Sequence, residues 1–109
     1  MTTLIQEIRG KIANGEFELC KHALDKSIMR RISVNEIRET VASGQVIEDY
    51  PDDKYGPSCL ISGLTLINRA VHVQCSYPGQ PLIKIITVYE PNPQLWEENF
   101  KRRRNRNDE

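Results

Sequence analysis

Residues 70–77 read AVHVQCSY, and the division of this octet into two sets decides the fold. Val71, Val73 and Cys75 alternate with His72, Gln74 and Ser76. A two-residue period of this kind belongs to a strand with one buried and one polar face. Working outward, residues 59–66 form a second strand, reached through a turn at Ile67-Asn68. Pro78-Gly79-Gln80-Pro81 is a further turn, leading to a strand over residues 82–89. Upstream, residues 46–50 form a fourth strand, separated by a loop that Pro51-Asp52-Asp53 and Gly56-Pro57 bracket. Strands joined by connections this short pair antiparallel.

The first half of the chain keeps the helical period instead. Leu4, Ile5, Ile8 and Ile12 share one face behind a Thr3/Gln6 capping box, and Asn14-Gly15 supplies a left-handed stop. Residues 17–19 read as a short extended link. A second helix covers residues 22–31, with Leu24 and Ile28 as its inward pair. Ser33 and Glu36 form another capping box ahead of Val34, Ile37 and Val41, and Gly44 ends that helix. After Pro91 and Pro93, residues 94–101 are expected to form a terminal helix carrying Leu95, Trp96 and Phe100. The expectation is an α+β fold, with N-terminal helices packed on a four-stranded, mostly antiparallel sheet and a short C-terminal helix. Residues 1–100 make one domain, and residues 101–109 a basic, frayed tail.

Fifteen basic and fifteen acidic residues cancel, so whole-chain charge gives no argument for a nucleic-acid partner. Any such argument rests on local clustering. No run approaches the roughly 18 apolar residues of a membrane span, and the first residues lack the apolar core of a signal peptide. Cys20, Cys59 and Cys75 are odd in number and include no C-x-x-C pair. They fit reduced thiols serving as small apolar residues in a cytoplasmic protein, and they lack the spacing of a zinc site. No metal and no cofactor is expected.

The chain has two histidines, His22 and His72. His22, Lys26 and Arg30 recur at four-residue intervals, which stacks them on one helix face. Arg31 follows directly. Cleaving RNA without a metal requires a group to take the 2′-hydroxyl proton and another to protonate the leaving oxygen, with cations around the phosphate. His72 and His22 are the acid–base candidates, and Tyr77 is a further proton donor. Lys26, Arg30, Arg31 and Tyr89 are the substrate-binding candidates. The same residues also suit a plain solvated surface, with the arginines paired to Asp49, Asp52 or Asp53.

Four blocks in order, KHALDKSIMRRISVNEI, VIEDYPDDKYGPSCLI, HVQCSYP and IITVYEP, resemble a bacterial and archaeal family of small proteins. That family is catalogued as a domain of unknown function, numbered four-two-five-eight. The resemblance covers residues 17–93. It implies a relationship to the RelE, ParE and BrnT toxin folds, and some members of the family lie beside MqsA-like zinc-finger antitoxins. It therefore implies a toxin that acts on RNA or on the ribosome, with an antitoxin protein as partner. His22, Arg30 and His72 match residues of the family pattern. Lys26 stands where arginine is frequent, and Arg31 stands where the helix usually ends in glycine. The expected function is a toxin of a toxin–antitoxin module acting as a metal-independent endoribonuclease. The alternative is a non-catalytic protein-binding module, either a ParE-like inhibitor or a regulatory partner. The inhibitor form would use the polar strand face and the basic tail for recognition, whereas the regulatory-partner form expects an apolar patch at Leu64, Leu66 and Ile67.

Overall fold

A computed structural model describes residues 3–97 and 99–103. Its elements run α1 (Leu4–Ala13), β1 (Phe17–Leu19), α2 (Lys21–Arg30), α3 (Val34–Ser43), β2 (Gln45–Tyr50), β3 (Ser58–Leu64), β4 (Ala70–Ser76) and β5 (Ile83–Tyr89). The strands form one sheet in the order β1-β5-β4-β3-β2. The fold is α+β, as the change of period implies. Among the described residues no helix is long and apolar enough to cross a membrane.

The capping boxes form as their sequences require. Thr3 accepts from the Gln6 amide while the Gln6 side chain accepts from the Thr3 amide, and Ser33 and Glu36 do the same at α3. Gly15 takes the left-handed conformation after α1, with φ 76°. The α2 helix ends in the same conformation at Arg31, with φ 54° and ψ 45°. A β-carbon there crowds the following carbonyl, so glycine is the usual choice.

Antiparallel ladders join β2 to β3, β3 to β4 and β4 to β5. One face of this meander receives all three helices: α2 lies against β5, α3 against β3 and β4, and α1 against α3 and β5. The core between the layers includes Ile8, Ile37, Val41, Ile61, Val73 and Ile85, all fully buried. Val71, Val73 and Cys75 point into it, as alternation along β4 requires.

Three sequence expectations are corrected. Residues 17–19 are a fifth strand, not a link: β1 pairs in parallel with β5, Phe17 opposite Ile83 and Leu19 opposite Ile85, so the sheet is mixed and has five strands. The terminal helix is absent from the described residues. Over the described residues 94–97 and 99–101 the chain runs through turns and bends, and Trp96 bridges to Arg103. Pro91 and Pro93 block a regular start there, and Trp96 gains more by burying its ring against the sheet than a short exposed helix would supply. Finally, Leu24 and Ile28 face solvent, at 47% and 70% exposure, while Ala23 and Ser27 are buried. These two small residues, one turn apart, let α2 approach β5 closely. Of the expected basic tail, Lys101–Arg103 are described, and Arg103 is ion-paired to Glu48. Residues 104–109 lie outside the described residues.

Candidate functional site

The sheet face turned away from the helices is polar and aromatic. Alternation places Ser58 and Ser62 of β3, His72 and Gln74 of β4, and Tyr89 of β5 on it, with Glu48 and Tyr50 contributed by β2. In β3–β4, Tyr77 donates its amide to the Pro57 carbonyl and Thr65 donates to that of Arg69. These hydrogen-bonded pairs fix the ladder's phase. Ser62 and His72 therefore face each other as a non-hydrogen-bonded pair, the closer of the two kinds.

Residues 91–97 and 99–103 cross this face as a strap. Trp96 lies edge-on to the His72 ring with centroids 4.5 Å apart, and is itself 2% exposed. The carbonyl of Phe100 reaches His72 Nε2 at 2.7 Å and accepts from the Ser62 hydroxyl at 3.4 Å. Phe100 adopts φ 58° in making these contacts. Arg103 closes the strap, donating Nε to Glu48 at 2.7 Å and a second nitrogen at 3.1 Å, with its guanidinium 4.6 Å from the Trp96 ring centre.

This geometry assigns the His72 tautomer. A carbonyl oxygen only accepts, so Nε2 carries the hydrogen. In the neutral ring Nδ1 then accepts from the Tyr89 hydroxyl, 3.2 Å away. Burial pushes the His72 pKa below its ordinary value, although the Phe100 carbonyl and Glu48 favour the charged form. Burial likewise raises the Tyr89 hydroxyl. For Glu48 burial works upward, but the Arg103 guanidinium and the Tyr50 hydroxyl outweigh it and hold the carboxyl below the usual range. Tyr50, half-buried and donating to Glu48, is pushed up to about 12.

Beside the strap lies a groove of about 580 Å³ lined by Arg30, Thr87, Tyr89, Glu90, Trp96 and Arg103, among others. Arg30 is held at its mouth by donating to the Val88 carbonyl at 2.8 Å. Its backbone is fixed by Arg69, which donates to the carbonyls of Arg30 and Arg31 and pairs with Glu36 and Glu90, each at 3.0 Å. A second concavity of about 500 Å³, lined by Tyr50, Pro51, Asp52, Asp53 and Gln74, is acidic.

The sequence candidates divide between these surroundings. His72, Tyr89 and Arg30 come together, His72 fully buried behind Tyr89 and Arg30 at the groove. Tyr77 belongs to the opposite sheet face. It packs on the core, and its hydroxyl donates to Asp49, whose carboxylate pushes it up to about 12. His22 is exposed near the start of α2, two turns from Arg30, with Lys26 half-buried between them. Arg31 is exposed at the helix end. Sequence reasoning passed over Ser62, Glu48 and the strap residues Trp96 and Arg103. The alternation through Ser58, Leu60 and Ser62 marks the serines as sharing a face with His72, whereas nothing in the local pattern announces the strap. Among the described residues no three His, Cys, Asp or Glu side chains gather as metal ligands.

No curated protein matches the chain, and no solved structure matches it. A family model does, over residues 19–90, a span that takes in α2, α3 and every strand but the first residues of β1. The chain belongs to the family described as Domain of unknown function (DUF4258).

Proposed function

We propose that this protein is a cytoplasmic, RelE-like toxin that cleaves RNA without a metal and is countered by a small antitoxin protein. One observation carries the reading: Tyr89 stands between a neutral, buried imidazole and a groove walled by Arg30. Its proton is committed to His72 Nδ1, which leaves the phenolic oxygen's lone pairs to accept a hydrogen bond from a ligand. In the proposed reaction the 2′-hydroxyl proton passes to Tyr89 as the Tyr89 proton passes to His72. The 2′ oxygen bonds to phosphorus, the bond to the 5′ oxygen breaks, water protonates the leaving oxygen, and the hydroxide so formed takes the extra proton from His72, restoring the neutral ring. The products are a 2′,3′-cyclic phosphate and a free 5′-hydroxyl. Arg30 offers a planar guanidinium to the phosphate oxygens. Removing Tyr89's hydroxyl by Tyr89→Phe is expected to lower cleavage of single-stranded RNA in the presence of EDTA by about two orders of magnitude. His72→Gln should do the same, and His22→Ala should leave cleavage unchanged. Absence of cleavage and of growth arrest on expression of the unaltered protein would end this reading.

A second reading, a non-catalytic module that blocks a partner by contact, is favoured by exposed apolar side chains. Ile28 and Met29 on α2 are 70% and 68% exposed, and Leu66 and Ile67 at the β3–β4 turn are 84% and 80% exposed. It expects toxicity that survives Tyr89→Phe and His72→Gln but is lost on Ile28→Asp.

A further inference from the structure

Two donors from different strands converge on a single oxygen at the centre of the polar sheet face. His72 Nε2 lies 2.7 Å from the Phe100 carbonyl oxygen, and the Ser62 hydroxyl lies 3.4 Å from the same atom. The donors sit on paired strands, and both residues are buried, His72 at 0% and Ser62 at 6% exposure. The oxygen they hold comes from a segment without regular structure, and the residue supplying it carries a left-handed φ of 58°. For a phenylalanine that conformation is disfavoured, so the local backbone is strained where it fills the donor pair. The strap is also held by the buried Trp96 and by the Arg103–Glu48 pair, whose arginine side chain is 56% exposed.

We infer that His72 and Ser62 form an oxygen-binding subsite for a phosphodiester of single-stranded RNA, and that the strap, through its Phe100 carbonyl, occupies it as a built-in stand-in which the RNA displaces. The inference rests on the RNA reading above and adds its regulation. The Phe100 carbonyl represents a non-bridging phosphate oxygen, which is also an acceptor and gains more from two donors because it carries charge. Arg30 at the adjoining groove then meets the next phosphate along the strand. In the closed state Nε2–H is already engaged, and only the Nδ1 side of the ring communicates with the groove, through Tyr89. Displacing the strap uncovers the other side. Its release gives up, among other contacts, the Arg103–Glu48 pair and the burial of the Trp96 indole, and an RNA base can take the place of that indole against the His72 edge.

The test compares the full chain with its Arg103→Ala variant, using a fluorescently labelled single-stranded oligoribonucleotide as probe. Loss of a cation beside the groove weakens RNA binding on simple electrostatic grounds. The strap proposal demands the opposite sign. With the clamp gone, binding tightens by roughly fivefold to tenfold, the gain available from freeing an exposed ion pair and a cation–π contact. Two ligand-free readouts accompany it. Trp96 is the chain's single tryptophan, and its emission should shift to the red in the variant. Modification of His72 by diethyl pyrocarbonate should rise in the variant relative to exposed His22, the internal reference. Adding Ser62→Ala to Arg103→Ala should reverse the gain in affinity. Weaker binding by Arg103→Ala, or tighter binding with Trp96 emission and His72 reactivity unmoved, overturns the strap while leaving the RNA reading in place. Absence of binding by every chain ends the RNA reading and this inference with it.

Discussion

The imidazole of His72 donates from Nε2 to the carbonyl of Phe100 across 2.7 Å, joining the central strand of the sheet to a segment 28 residues further along the chain. Nδ1 is also engaged, by Tyr89, and in the neutral ring it accepts while the hydroxyl donates. Protonation leaves Nδ1 with a hydrogen facing a hydroxyl that must turn away to accept it.

Stability should therefore fall as the medium is acidified through the histidine range. The folded pKa lies below the ordinary 6.5, first because of burial, while the unfolded chain titrates near that value. Between the two the unfolded state binds more protons, so the contribution is complete above pH 6.5 and declines below it. Around the ring, Glu48 opposes this shift and Arg103 adds to it. Urea unfolding between pH 7.5 and 5 should show the decline, and His72→Gln should flatten it. A slope unchanged by that substitution would place the titrating group elsewhere.

Arg69 is expected to respond to its geometry more than to its charge. One guanidinium serves two carboxylates and two carbonyls at the end of α2. Glu90 and Glu36 raise its pKa, so it stays charged throughout the stable range. Lysine keeps the charge but lacks the planar fork. Arg69→Lys should cost about 1–2 kcal/mol, read as a lower melting temperature, and should loosen Arg30. Full stability in the lysine variant would show the fork to be dispensable.

Gly63 lies where α3 comes close to the sheet. A β-carbon at this position meets the Thr40 carbonyl oxygen at 2.1 Å and the Gly44 α-carbon at 3.0 Å. Backbone cannot yield as a side-chain tip does. Gly63→Ala should destabilise by about 1–3 kcal/mol, seen as a lower denaturant midpoint at constant slope. An unchanged midpoint would mean that α3 rides freely over β3.

Arg31 offers the opposite case. Its left-handed backbone is a place where glycine fits without crowding, and its side chain is exposed. Arg31→Gly should raise stability by about 0.5–1 kcal/mol, since the carbonyl that Arg69 holds is retained. A fall in melting temperature would show that the side chain itself supports the turn.

Much of this architecture was legible from local chemistry. Thr3/Gln6 and Ser33/Glu36 announce two helix starts because capping needs only residues three apart. Alternation correctly divided Val71 and Val73 from His72 and Gln74, because a strand's side chains must take opposite faces. What escaped depended on distant partners. Phe17–Leu19 is too short to declare itself a strand, and it becomes one only because Ile83 and Ile85 offer an edge. Leu24 and Ile28 fit the period for burial, yet close packing on β5 selected Ala23 and Ser27. At the site, alternation turned His72 away from the core but carried no information about residues 91–103. The strap converts an expected open face into a covered one. Tyr77 follows the same alternation onto the other side, away from His72.

The pairing of β1 with β5 also bears on how the chain is made. Phe17 finds its sheet neighbour at Ile83, so β1 leaves the ribosome ahead of its partner and has none until β5 has been made. The β3–β4–β5 meander, whose contacts are close in sequence, is able to assemble without it. Biosynthesis thus leaves the N-terminal edge as the last part of the sheet to close, docked onto a scaffold translated after it.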